Sequence, residues 1–318
     1  MARLINAKRS DIEKMSPAEF KQAIWNSEGR VVLSQNYVGM DSLAMGVTNP
    51  ELAQAMGADM VFFNGYSCDS TVEMRGLSMI HMGSEGFSFE QYRIPEMRRL
   101  IDIPMGVYLE CGKDSDRSNA VSKVRMNYMA TNENIERLIN EGVDFVVLGG
   151  NPGTGVKYDN VIKATAEAKR VAKDRMLVFS GKWEDGASEP VIGDPIKPIG
   201  FYEDIIAALI DAGADCICMP MPGSRWGIDV PTIRHLVAFV HTYKPGTLAM
   251  TFLDGTVEGS DVETIRQCAL LSKQTGADIH AIGDAGLAGM SLPENIYQLC
   301  LTIKGRIKTW ERMAASRR

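Results

Sequence analysis

Histidine is scarce in this chain, with four in 318 residues, at 81, 235, 241 and 280. His235 and His241 share a helical stretch but stand six apart, so they do not share a face as a pair four apart would. His280 lies inside an apolar run, two residues before Ile282, where a buried, hydrogen-bonded imidazole is expected. His81 is isolated, and no histidine-based metal site follows. There are six cysteines, at 68, 111, 216, 218, 268 and 300, and no two form a Cys-x-x-Cys pair. A structural zinc site is therefore not expected, and the thiols read as reduced in a cytoplasmic protein. Cys216 and Cys218 point the same way along a strand, as small apolar side chains in a packed core. Cys111, beside Glu110, is the one thiol to test as a nucleophile. No apolar run approaches the roughly 20 residues that span a bilayer. The polar start, Met1 to Lys14, has no signal-peptide core. A net charge of −6 argues against a nucleic-acid partner, which would want a basic face.

What the chain does have is a repeat. Gly-Ala-Asp or Gly-Val-Asp occurs at 57–59, 142–144, 213–215 and 276–278. An apolar run follows each copy: Met60 to Phe63, Phe145 to Leu148, Cys216 to Met219, and Ile279 to Ile282. Each glycine can take the left-handed conformation that ends a helix, and the next residues enter a strand. One more apolar run lies between successive copies: Val107 to Leu109, Met176 to Phe179, and Leu248 to Thr251. Val31 to Ser34 precedes the first copy. Eight strands alternating with helices imply a single (β/α)8 barrel over 31–318, with 1–30 as a helical lead-in. That lead-in, with a capped helix from Ser16-Pro17-Ala18-Glu19 to about Trp25, suits a plug for the barrel or a contact between copies.

Helices are expected over Thr48 to Gly57, Phe89 to Leu100, Glu133 to Asn140 and Asp159 to Ala172. Capping boxes are expected at Ser260-Asp261-Val262-Glu263 and Ser291-Leu292-Pro293-Glu294. Connections into strands are short. Those leaving strands are long, glycine-rich and polar, and in barrel enzymes they build the active site. The loops after the second, third and fifth strands are lid candidates.

Candidate site residues follow from that geometry. Gly149-Gly150-Asn151-Pro152-Gly153-Thr154-Gly155 leaves the fourth strand and enters a helix, a place where backbone N–H groups gather on an anion. Gly283-Asp284-Ala285-Gly286 leaves the eighth strand, where barrels often hold phosphate. Arg225 can clamp a carboxylate or phosphate with its planar fork. Lys182, between Gly181 and Trp183, suits a base, an acid or an imine-forming amine. Glu110, Asp254 and Asp284 are strand-end acids that can relay protons or hold a hard cation. Gln35 and Asn64 suit substrate orientation, as does Tyr66.

The strand order from Val31 onward, Glu110-Cys111-Gly112-Lys113 and the Gly149–Gly155 run resemble bacterial barrel proteins described as phosphoenolpyruvate phosphonomutase-like. The mutase and isocitrate lyase members carry an aspartate-rich magnesium motif and a Lys-x-Cys-Gly-His type loop. Here the second strand ends in Asn64-Gly65-Tyr66-Ser67-Cys68-Asp69 and neither motif is present, so no catalytic residue is carried over. The expected work is lyase-, isomerase- or aldolase-type chemistry on a small phosphorylated or carboxylated metabolite, by a homo-oligomer. No cofactor motif stands out, and a divalent cation such as magnesium is what grouped acids would accept. The alternatives are a ligand-sensing barrel without catalysis and a metal-dependent hydrolase.

Overall fold

Each apolar run becomes a strand. The computed structural model describes residues 2–84, 86–112, 124–184, 186 and 189–315. The barrel strands are β1 (Val31–Tyr37), β2 (Met60–Asn64), β5 (Met105–Glu110), β6 (Phe145–Gly149), β7 (Leu177–Gly181), β8 (Cys216–Pro220), β9 (Leu248–Leu253) and β10 (Ile279–Ile282). They pair in parallel in the order β1-β10-β9-β8-β7-β6-β5-β2, and β2 closes on β1. Strands buried on both faces carry continuous apolar runs, which is why these segments show no polar alternation. The outer helices are α3 (Asn49–Ala55), α5 (Asn132–Glu141), α6 (Tyr158–Ala172), α7 (Ile199–Asp211), α8 (Val230–Tyr243), α9 (Val262–Lys273) and α10 (Pro293–Met313). The architecture is the expected (β/α)8 barrel.

The repeat turns out to be a seam. The repeat glycines at 57, 142, 213 and 276 all have positive φ. The aspartate after each makes a double bridge to the neighbouring strand. Asp59 donates its N–H to the Val32 carbonyl, and its carboxylate accepts from the Val32 N–H at 3.0 Å. Asp144 does the same with Met105, Asp215 with Val178 and Asp278 with Ala249, the carboxylate contacts being 2.7, 3.0 and 2.8 Å. Each aspartate thus locks one strand pair at the N-terminal end of the barrel. Each also meets a basic side chain: Lys304 and Arg312, Arg98, Lys21 and Lys169, and His241, respectively.

The lead-in is the plug. α2 (Pro17–Trp25), after the short α1 (Arg9–Ile12), is capped by Ser16 with Glu19 reciprocating. Phe20, Ala23, Ile24, Leu4 and Ile5 join the inner core with Val31, Phe145 and Ile279, and the Phe20 and Phe145 rings lie 6.4 Å apart.

Three expectations need correction. Phe89 to Leu100 is not one helix. β3 (Ser78–Gly83) and β4 (Gly86–Gln91) form an antiparallel hairpin, followed by a single turn, α4 (Ile94–Met97). Phe87 and Phe89 oppose Met82 and Ile80 across it, a period of two that outweighs helix propensity. The cap of α9 is Asp261, not Ser260. Ser291 does not cap α10, because its hydroxyl donates to the Glu258 carbonyl at 2.7 Å. β1 extends past its apolar run to Tyr37, since Asn36 and Tyr37 pair with Phe63 and Asn64. Among the described residues no helix is long and apolar enough to cross a membrane. His280 is buried as expected. It meets Ser272 at 2.6 Å and the Gly29 carbonyl at 3.1 Å, and burial holds its pKa down to about 4.

Candidate functional site

Alternation along the strands decides what faces the lumen. Tyr108, Phe179, Cys218, Phe252 and Trp183 belong to the inner core, so Glu110, Gly181, Pro220 and Asp254, each two residues beyond an inner-core strand residue, continue the same face at the C-terminal mouth. Gln35, Asn64, Gly149 and Gly283 do likewise on β1, β2, β6 and after β10. The floor is aromatic. Trp183 stacks on Phe252 with ring centroids 5.2 Å apart and meets Tyr108 edge-on at 6.2 Å. A side chain at Gly149 would meet the Trp183 ring at 3.0 Å.

One half of the mouth is organised by Glu110, which is 1% exposed. Its carboxylate accepts from the Asn151 N–H at 3.1 Å, from the Asn151 side-chain amide at 2.8 Å and from the Thr154 hydroxyl. Tyr108 donates to it at 3.4 Å, and Asn64 donates to Asn151 at 3.1 Å. The Gly149–Gly155 loop therefore does gather donors on an anion, and that anion is the chain's own Glu110. Gly150 packs against Val156, and Gly153 and Gly155 supply turns of positive φ. Beside this network lies a cavity of about 220 Å³, lined by Tyr37, Asn64, Glu73, Tyr108, Glu110 and Tyr128 among others.

The other half is a strip of four carboxylates. Asp254 leaves β9, Glu258 sits on the single turn Val257–Gly259, Asp284 follows β10 and Glu184 follows β7. Glu184 and Asp254 hydrogen-bond to each other, and burial, then the charge of Asp254, pushes the Glu184 carboxyl well above the usual range. Glu258 is 2% exposed. It accepts from the Ala285 N–H at 2.9 Å, and burial together with Asp254 raises its pKa to about 8. Asp284 accepts from Gln35 and from the Gly286 N–H at 2.9 Å, and burial raises it too. Gly283 makes the strip possible. A Cβ there would stand 2.9 Å from Glu258 Oε1 and 3.2 Å from Asp254 Oδ1. Arg225 donates its Nε to the Trp183 carbonyl at 2.8 Å, which holds the guanidinium beside Gly255 and within electrostatic reach of Glu184.

The structure thus brings Glu110, Asn64, Asn151 and Thr154 together on one side, and Asp254, Asp284, Gln35, Gly283 and Arg225 on the other. Lys182 is placed differently. It alternates with the inward Gly181 and Trp183, is 1% exposed, and donates to the Val156 carbonyl at 3.1 Å. Tyr66 turns outward to Glu141 and Arg93. Cys111 is fully buried. Lys113 and Asp185 lie outside the described residues. Among the described residues no three His, Cys, Asp or Glu side chains are arranged to hold a metal ion. Sequence reasoning passed over Glu184 and Glu258. The signal for Glu258 was its place in the same exit loop as Asp254, four residues on.

Glu258 gives a pH-dependent stability. In the unfolded chain it titrates near 4.5, in the folded one near 8. Between these values the folded state holds a proton that the unfolded state lacks, so stability falls as pH rises from about 4.5 to about 8. Glu258→Gln keeps the acceptor for Ala285 and removes the titration. The variant is expected to be more stable than the parent at pH 9, by a few kcal/mol, and to converge on it near pH 4. Parallel melting profiles for the two proteins across that range would refute this.

The model of the family described as "Domain of unknown function (DUF7916)" matches residues 5–318. The chain belongs to this family. No curated protein matches it. Among solved structures, it is similar to the carboxyl transferase domain Y628A from Rhizobium etli pyruvate carboxylase with pyruvate, at a TM-score of 0.56 and 12% identity. That alignment covers 96% of this chain and 51% of the other, so the chain spans about half its length. It is also similar to an archaeal fructose 1,6-bisphosphate aldolase, at 0.55 and 16% identity, over 90% of this chain and 98% of the other. The 2,3-dimethylmalate lyase of the PEP mutase/isocitrate lyase superfamily aligns at only 0.48 and 14% identity, over 84% and 81%, too distant to bear on the phosphonomutase-like resemblance. At such identities the likeness establishes the barrel fold alone.

Proposed function

We propose that this member of the DUF7916 family is an enzyme that carries out lyase-, isomerase- or aldolase-type chemistry on a small carboxylated or phosphorylated metabolite at the mouth of the barrel. The observation that supports this reading is the buried Glu184–Asp254 pair beside Arg225. Two carboxylates that hydrogen-bond to each other share a proton, so the pair offers an acid and a base at neutral pH. Arg225 presents its remaining N–H groups to the anionic end of the substrate. Gln35, Asn64 and Asn151 orient its polar groups. An enolate-like intermediate formed by proton abstraction next to a carbonyl would be stabilised by the donors around it. Glu110 and Lys182, both buried in the seat of the loop after β6, are positioning residues in this scheme.

Arg225→Met tests the anion site. It is expected to raise KM for the anionic substrate at least tenfold, while melting temperature stays within about 2 °C, because the guanidinium is only partly buried and such a group contributes little to stability. An unchanged KM would remove Arg225 from substrate binding. Ligand binding without turnover in the parent protein would favour the ligand-sensing barrel instead.

A further inference from the structure

The barrel leaves the apolar face of the β3–β4 hairpin uncovered. Ile80, Met82, Phe87 and Phe89 share one face of it, and Met79, His81, Ser88 and Glu90 share the other. Met79 packs on the core, while Met82, Phe87 and Phe89 are exposed, as is Met45 in the groove beside Phe89. A two-stranded hairpin by itself is marginally stable in water. Its outer edge is open too. Every residue of β4 is exposed, and among the described residues no backbone hydrogen bond reaches the side of β4 away from β3. Exposed edges are usually blunted by lysine, proline or a bulge, but Gly86–Gln91 has no proline and no charge except Glu90.

The backbone shows what this edge presents. The Ile80 N–H turns away from β4 and donates to the Met45 carbonyl at 3.4 Å, so Ile80 and Phe89 are an opposed pair that exchanges no hydrogen bonds. Phe87, two residues back along the strand, repeats the orientation of Phe89. The N–H and C=O groups of both phenylalanines therefore point out of the hairpin.

Such an edge is its own complement. Pair two β4 strands antiparallel about a two-fold axis at Ser88, and Phe87 of each copy stands opposite Phe89 of the other. Each such pair exchanges both of its N–H···O=C bonds, and aromatic pairs across strands are favourable. Glu90 comes opposite Gly86, so no like charges meet. Phe89 borders a groove of about 240 Å³ with Met45, Ile80 and Arg75, and Phe87 of the second copy arrives at its mouth. Met45, Met82, Phe87 and Phe89 alone expose roughly 500 Å², taking ~200 Å² for a whole side chain of this size. The edge backbone and Ser88 add to that, toward the ~800 Å² per partner of a stable interface. The charges at the groove suit a second copy better than an anionic surface. Arg75 lies 3.5 Å from Asp41 and lines the groove with Glu73, whereas anionic lipid or nucleic acid asks for a cluster of bases.

We propose that this edge is a dimer interface: β4 pairs antiparallel with β4 of a second copy about a two-fold axis at Ser88, joining the two hairpins into one sheet. Glu73 lines both the groove and the cavity beside Glu110, so the interface borders the mouth of the barrel.

Sedimentation of the full chain, together with cysteine cross-linking, tests it. The parent is expected to be a dimer at micromolar concentration, the weak end of the range for interfaces of standard size. Phe87→Lys and Phe89→Glu should each be monomeric and still folded, because both side chains are exposed in the single chain. Mixed in equal amounts, the two variants should re-form a dimer, since the new lysine then faces the new glutamate. Ser88→Cys should give a disulfide-linked dimer on mild oxidation. Opposed residues of a pair without hydrogen bonds have Cα atoms about 4.5 Å apart, within disulfide reach, and the native cysteines are all buried. Glu90→Cys, facing Gly86, should not cross-link. A monomeric parent overturns the proposal, and if that monomer co-sediments with phosphatidylglycerol vesicles, the apolar face meets a membrane instead. A dimer that survives both phenylalanine substitutions overturns it, as does cross-linking through Glu90→Cys but not Ser88→Cys. A ladder of larger oligomers also overturns it, since a two-fold pair closes on itself.

Discussion

Asp59→Ala is expected to cost about 3–5 kcal/mol of stability, the range for breaking one side of a buried ion pair. Asp59 is fully buried, and it meets Lys304 at 2.6 Å and Arg312 at 3.2 Å, both almost fully buried themselves. Removing the carboxylate leaves two cations without their counter-charge. It also frees the Val32 N–H at the start of β1. The same cations reach further. Lys304 donates to the Gly57 carbonyl, and Arg312 donates to the carbonyls of Ala7 and Leu4. One residue therefore ties together α10, the first strand pair and the plug. Chemical denaturation of the variant checks this. A loss below about 1 kcal/mol would show that the cations find water or other partners and that the network contributes little. Asp278, paired with the partly exposed His241 at 3.0 Å, is expected to cost less when replaced by Ala, since one of its two partners stays near solvent.

The four aspartates show why so much of the fold was readable. Every Gly-x-Asp copy performs the same local task, so the repeat is visible in the chain itself. Helix ends, strand starts and strand pairing follow from a residue and its near neighbours. The hairpin β3–β4 was missed because its side chains answer to each other rather than to the barrel. Phe87, Phe89 and Met82 are 64%, 67% and 76% exposed, so no core imposes its period. Ser291 was misread because its partner, Glu258, is 33 residues away.

The site was legible in part, for the same reason. Position at a strand end is local information, and it found Glu110, Asp254, Asp284, Gln35 and Asn64. Which acids pair is not local. Glu184 meets Asp254 from a loop 70 residues earlier in the chain, and nothing near either residue encodes that contact. The glycine loop after β6 shows the limit most clearly. Its donors were legible, but their partner was Glu110, 41 residues before Asn151. A loop that reads as an anion site can be filled by the protein. Lys182 makes a similar point. Its neighbours Gly181 and Trp183 suggested the mouth, while strand alternation gave it the other side of the wall.

Asp254→Asn is expected to lower kcat by about 10²–10⁴, the usual worth of a positioned general acid or base, with little change in fold. Asparagine keeps the size and one acceptor oxygen, so Gly255 and Glu184 retain a partner. What it loses is the shared proton. In the parent, Glu184 holds a proton well above its ordinary range because it is buried beside Asp254. Without the Asp254 charge the main electrostatic cause of that elevation is gone, and desolvation alone remains. The upper limb of the pH–rate profile should therefore move to lower pH in Asp254→Asn as well as fall in height. A merely structural role for Asp254 predicts a different pattern, with a lower melting temperature and an unshifted profile. Glu184→Gln provides the second arm, since it removes the acid and leaves the Asp254 side chain in place. If the pair works as a unit, the double variant should be no slower than either single one. Multiplicative losses in the double variant would mean that Asp254 and Glu184 act independently and that the proton is not shared between them.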